Sequence, residues 1–205
     1  MFLDTLSVRV TVLCLILSLF VTAAYAIRIW FRKDVRYDGV SEWVGHGFHG
    51  LGMTYMSYVM LGALPPFIPS NWLTIFFAAC TVVFVARLIF RLYYIWWWDV
   101  LHVVGSASMA YMFVDPASWS PLWTLAFMSY YVAIIVIYVH YVREHLKVVA
   151  WRARFAGLLS DAAHHAMAVA MILMLTVMQW PEETARLSGV IWEQSATTVP
   201  HVHKH

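Results

Sequence analysis

The chain has 205 residues, of which 62% are hydrophobic and only 12% charged, with mean hydropathy +0.72 and a formal net charge of +2. Soluble domains carry about twice that charged fraction, so this composition describes an integral membrane protein with no room for a soluble domain. The basic residues flank apolar runs and form no nucleic-acid face, and Cys14 and Cys80 both lie inside apolar runs, which argues against a disulfide framework or a thiolate cluster.

Six spans are predicted, at about 7–30, 43–63, 71–94, 97–115, 120–142 and 160–180, in one domain over residues 1–205 with an outer tail from 181. Backbone groups in hydrocarbon need internal partners, and runs of this length without period-2 alternation satisfy them as helices. In the first span Ala24-Tyr25-Ala26 resembles a signal-peptidase site. The preceding segment, with Asp4 and Arg9, lacks a positive excess, and Arg28, Arg32, Lys33 and Arg36 follow it as a stop-transfer flank, so the span is expected to remain. Pro65, Pro66 and Pro69 punctuate the connection after the second span, and Pro116 and Pro121 the one after the fourth. The odd spans end in basic residues four apart: Arg28 and Arg32, Arg87 and Arg91, Arg143 and Lys147. Residues 143–157 read as an amphipathic interfacial helix anchored by Trp151. The connections on this side also carry Lys33, Arg36, Arg152 and Arg154, against Arg9, Arg186 and Lys204 on the other. The positive-inside rule then places both termini outside the cytoplasm, in a bacterial inner (cytoplasmic) membrane.

The even spans share a motif. His46 is followed by Met53 and Met56, His102 by Met109 and Met112, His164 by Met171 and Met174, a His-x6-Met-x2-Met pattern in three copies. Seven residues are nearly two helical turns, so each His and its first Met share a face. Small residues recur between them: Gly50 and Gly52, Ser106 and Ser108, Ala168 and Ala170. With the recurring basic pairs of the odd spans, this predicts an all-α integral membrane fold, a six-helix bundle of three repeated hairpins about a pseudo-threefold axis with the even helices innermost.

Thioether sulfur and imidazole nitrogen together suit Cu(I). A pseudo-threefold bundle would gather His46, His102 and His164 in one layer, Met53, Met109 and Met171 in a second, and Met56, Met112 and Met174 beside it. A His and the Met seven residues on stand about 10 Å apart along a helix, too far to share one ion, so layered sites are what the spacing permits. Asp99 and Asp161 precede their His by three residues and Glu42 precedes His46 by four. Such carboxylates either orient an imidazole from behind or cap a helix start. His201, His203 and His205 alternate in the tail and form a candidate outer metal site. Met also fills irregular gaps, and small residues let membrane helices pack closely whatever they do. A structural subunit of a larger membrane enzyme, such as a copper-dependent oxidase or monooxygenase, therefore stands beside the copper reading, and haem or chlorophyll ligation by opposed histidines stands third. No nucleotide or hydrolytic motif is present, so an enzyme is not expected. The expected partners are lipid and other subunits of a membrane complex.

The segments from Val44 to Met53, His102 to Met112 and His164 to Met171 resemble a family of small, mainly actinobacterial, multi-span membrane proteins of unknown function whose helices carry His-x6-Met stripes. The resemblance covers the even helices and implies the multi-span fold, with no assigned activity. The Met stripes are also analogous to those of trimeric copper transporters, which stack Met triads at a Met-x3-Met spacing where this chain has Met-x2-Met.

Overall fold

The computed structural model describes residues 2–31, 46–62, 67–90, 96–115, 118–149 and 151–180. Over these the chain forms six helices: α1 (Phe2–Phe31), α2 (Phe48–Met60), α3 (Ser70–Ile89), α4 (Trp96–Met112), α5 (Pro121–Leu146) and α6 (Trp151–Met178). Four are long and apolar enough to cross a membrane, over Leu6–Ile27, Ser70–Ile89, Pro121–Leu146 and Arg154–Met178. Over the described residues the remaining two, α2 with 13 residues and α4 with 17, extend about 20 and 25 Å, against the roughly 30 Å of hydrocarbon. Short helices are tolerated at membrane depth when protein encloses them, and both contribute to the core through Met53, Met56, Met109 and Met112.

The odd helices form much of the outer wall. Trp72, Ile75, Val82 and Val83 on α3 and Leu122, Trp123, Leu125 and Val136 on α5 are all more than half exposed. Apolar surface of this extent marks a membrane or protein interface, in keeping with helices long and apolar enough to cross a membrane. The inward faces carry small polar groups, including Ser7, Thr11 and Ser18 on α1, Ser70 on α3 and Thr124 on α5, all buried. The most extensive helix contacts are α1 with α6, α3 with α4, α5 with α6 and α1 with α2, and α2 meets α4 over a smaller area.

Local chemistry sets the junctions. Gly62, at φ +67°, ends α2, with its N–H on the Val59 carbonyl while the Leu61 N–H binds the Ser57 carbonyl. The Tyr55 hydroxyl then donates to the Ile68 carbonyl and accepts from the Ile68 N–H, both at 3.1 Å, which latches the approach to α3. One copy later Tyr111 does the same work, donating at 3.0 Å to the carbonyl of Ser120, the residue that precedes Pro121 at the start of α5. The third copy has Leu173 at this position, where no further described helix follows.

Two expectations are corrected. The sixth helix begins at Trp151, not near 160, and residues 143–146 complete α5, so no separate interfacial helix forms over 143–157. Gly157 lies inside α6, where a Cβ would meet His145 Cδ2 at 2.5 Å. The tight corner between the helices is held by Arg154 Nε donating to the Val148 carbonyl at 2.6 Å.

Close approach is also required at Gly52. A Cβ there would meet Met109 Cε at 2.7 Å and Phe77 Cζ at 2.9 Å, and the Phe77 ring is confined by stacking on Phe113. Gly52→Leu is expected to destabilise the bundle by about 1–3 kcal/mol through overpacking, more than the ~1 kcal/mol that helix propensity returns. A lower thermal midpoint in detergent checks it.

Candidate metal centre

The three repeated histidines converge. His46 and Gly47 lead directly into α2, with Gly47 already in helical backbone conformation. Its ring centroid is 4.6 Å from that of His102 on α4 and 4.6 Å from that of His164 on α6. All three are at most 4% exposed. His46 is the shared neighbour, and its Nε2 lies 3.2 Å from His164 Nε2.

The tautomer of His164 follows from its surroundings. Its Nδ1 is 2.7 Å from the Ser160 carbonyl, which can only accept, so Nδ1 carries the proton and Nε2 presents a lone pair. The Tyr25 hydroxyl stands 3.2 Å from that Nε2. A backbone carbonyl behind the ring is the usual means of orienting a ligating histidine.

Each histidine is also stacked on an aromatic ring from the helix before it. Tyr25 of α1 covers His46 at 4.9 Å, Phe84 of α3 covers His102 at 4.7 Å, and Tyr138 of α5 covers His164 at 4.2 Å. Such pairs contribute about 0.5–1.5 kcal/mol beyond area burial and fix the imidazole planes. Sequence reasoning missed all three aromatics. They precede their His by 21, 18 and 26 residues, and these unequal spacings hide the correspondence.

Seven residues before those aromatics come Ser18, Phe77 and Tyr131, also buried. Here the helices reach the sixth position after each His. Phe77 packs on Gly52 and Tyr131 Oη is 2.5 Å from Ser108 Oγ, whereas at Ala170 the contact comes from Cys14, one turn before Ser18, with its Sγ 3.7 Å from the carbonyl. Beyond that level lie Met53, Met56, Met109, Met112, Met171 and Met174, none more than 1% exposed and all in one core cluster.

The carboxylates serve the hairpins. Asp99 forms an ion pair with Arg87 at 3.2 Å, and Asp161 Oδ2 is 2.6 Å from His145 Nδ1. Both partners lie on the helix preceding the carboxylate's own. Asp161 is well inside α6, so it caps no helix start. Arg87→Leu would leave a buried carboxylate uncompensated. Because Arg87 is partly exposed, the expected loss lies at the lower end of about 3–5 kcal/mol, read by denaturation in detergent. Glu42, His201, His203 and His205 lie outside the described residues.

The nitrogen atoms fit a metal in one respect and fall short in another. Two ligands at about 2.0–2.1 Å in tetrahedral array stand about 3.3 Å apart, close to the 3.2 Å between His46 Nε2 and His164 Nε2. Among the described residues no three His, Cys, Asp or Glu side chains are arranged as ligands of one ion. The arrangement is therefore a two-nitrogen bite with His102 alongside. Neither the family models, the curated proteins nor the solved structures contain a match to this chain.

Proposed function

We propose that this chain is a membrane protein that binds Cu(I) and passes it between a histidine layer and a methionine layer, without covalent chemistry of its own. The observation that carries the reading is the meeting of His46, His102 and His164, three residues far apart in sequence, in one buried cluster with paired Nε2 atoms. The backbone carbonyl behind His164 and the aromatic ring stacked on each histidine hold the imidazoles in fixed orientations, as a ligand set requires. Cu(I) is soft and takes both imidazole and thioether ligands, which suits two imidazoles followed by a thioether-rich interior.

The reading takes the fold as three hairpins about a pseudo-threefold axis. It is supported by matching aromatic–histidine stacks on the three histidines and by equivalent contacts of Phe77 at Gly52 and Tyr131 at Ser108. Both termini are proposed to face outward across a bacterial inner membrane, with the His layer toward the cytoplasm and the Met layer about 10 Å deeper.

A structural subunit is the second reading, and one observation favours it. A separation of 3.2 Å also suits an N–H···N hydrogen bond from His46 to His164. A tetrapyrrole is disfavoured, because the space beside the histidines is about 10 Å³, near that of a single water. The test is anaerobic loading with Cu(I), after deletion of the histidine-bearing tail, followed by metal analysis. The proposal expects one copper per chain and no Soret band. A metal-free chain under these conditions would leave the structural subunit as the account.

A further inference from the structure

The repeat is broken at one level, and a cavity lies there. The third residue after each His is His49, Gly105 and Met167 in turn, and all three line a cavity of about 10 Å³ together with His46, Tyr138 and His164. Gly105 contributes by what it lacks, since a Cβ on it would meet His49 Cε1 at 3.2 Å. Two polar atoms of the lining, His49 Nδ1 and Tyr138 Oη, are buried without a hydrogen-bond partner among the described residues. Each would cost about 1–3 kcal/mol if left so. His49 Nε2 is engaged by Ser106 Oγ at 3.3 Å, which holds the ring with its other nitrogen unused.

Volume and chemistry together specify the occupant. The space admits one water-sized molecule. Its walls offer phenol hydroxyls, imidazoles and a thioether, with no carboxylate, lysine or arginine among the lining residues, which suits a small neutral molecule. Leu101 and Tyr130 form part of the wall between α4 and α5, where the Tyr130 hydroxyl donates to the Leu101 carbonyl at 3.1 Å.

Resting on the Cu(I) reading above, we propose that this cavity is a ligand position of the copper site, taking one neutral, water-sized molecule that Tyr138 and His49 hold beside His46 and His164. The asymmetric layer of the repeat thus makes one side of the metal addressable by a small molecule.

Carbon monoxide is a suitable probe, because it is neutral, small and binds Cu(I) with a distinct stretching band. Infrared spectra of the Cu(I)-loaded, tail-deleted chain under carbon monoxide are expected to show one band, with one CO per copper. Tyr138→Phe keeps the ring that stacks on His164 and removes the hydroxyl, and the band is expected to move to higher frequency as the hydrogen bond to the bound ligand is lost. Gly105→Leu fills the cavity, and the band per bound copper is expected to vanish. Copper bound without a CO band, or a band identical in both variants, would overturn the ligand position while leaving copper binding intact. Absence of bound copper would overturn both.

Discussion

His46→Ala is expected to abolish stoichiometric copper binding, from one ion per chain to none. His46 is the neighbour common to both other histidines, and its Nε2 lies 3.2 Å from His164 Nε2. His164→Ala removes the other side and is expected to act equally. Either loss should exceed the 10–100-fold weakening typical of changes behind a ligand. A closed ring of three ligands would make His102→Ala just as severe. His102 stands beside the pair with its ring stacked on Phe84, so its replacement is expected to weaken copper affinity less than the other two. Competition against a Cu(I)-specific chromophoric chelator measures all three variants on one scale, with circular dichroism confirming that each remains helical.

Met171→Ala is expected to be the most destabilising single change in the methionine layer, by about 2–5 kcal/mol. Met171 is 1% exposed on α6, beside buried Ala168, Ala170 and Met174, and the surrounding helices have little freedom to collapse on the cavity. Met171→Leu preserves volume and should cost under about 1.5 kcal/mol while removing the sulfur. The two variants therefore separate packing from chemistry. Leucine is expected to leave the fold and the copper count intact and to slow copper release to an external chelator. An unchanged release rate in Met171→Leu would reduce the Met layer to core filling.

The even helices were legible because their message is written in rare residues at a fixed interval. His-x6-Met-x2-Met is visible without any hydrophobic periodicity, and the buried positions of Met53, Met109 and Met171 agree with it. Apart from their paired basic ends, the odd helices were readable only as apolar. Lipid and protein core are equally hydrophobic, so an inner face leaves no amphipathic signal. What marks it are small polar residues such as Ser18 and Thr11, and aromatics such as Tyr25 and Tyr138, whose meaning depends on partners far along the chain. Asp161 illustrates the same limit. Its place three residues before a histidine suggested a local role, whereas its carboxylate is engaged by His145 across the hairpin. The length of α6 was misjudged because the charged, amphipathic run up to 157 read as a separate interfacial segment, whereas its residues from Trp151 on continue into the sixth helix.

The central claim is that His46 and His164 ligate copper through nitrogen. X-ray absorption at the copper edge, on the tail-deleted chain loaded anaerobically with Cu(I), tests it most directly. The account predicts a Cu(I) edge and a first shell containing two imidazole nitrogens at about 2.0 Å, lost in His46→Ala. A first shell of sulfur alone, or the same nitrogen shell persisting in His46→Ala, would contradict it.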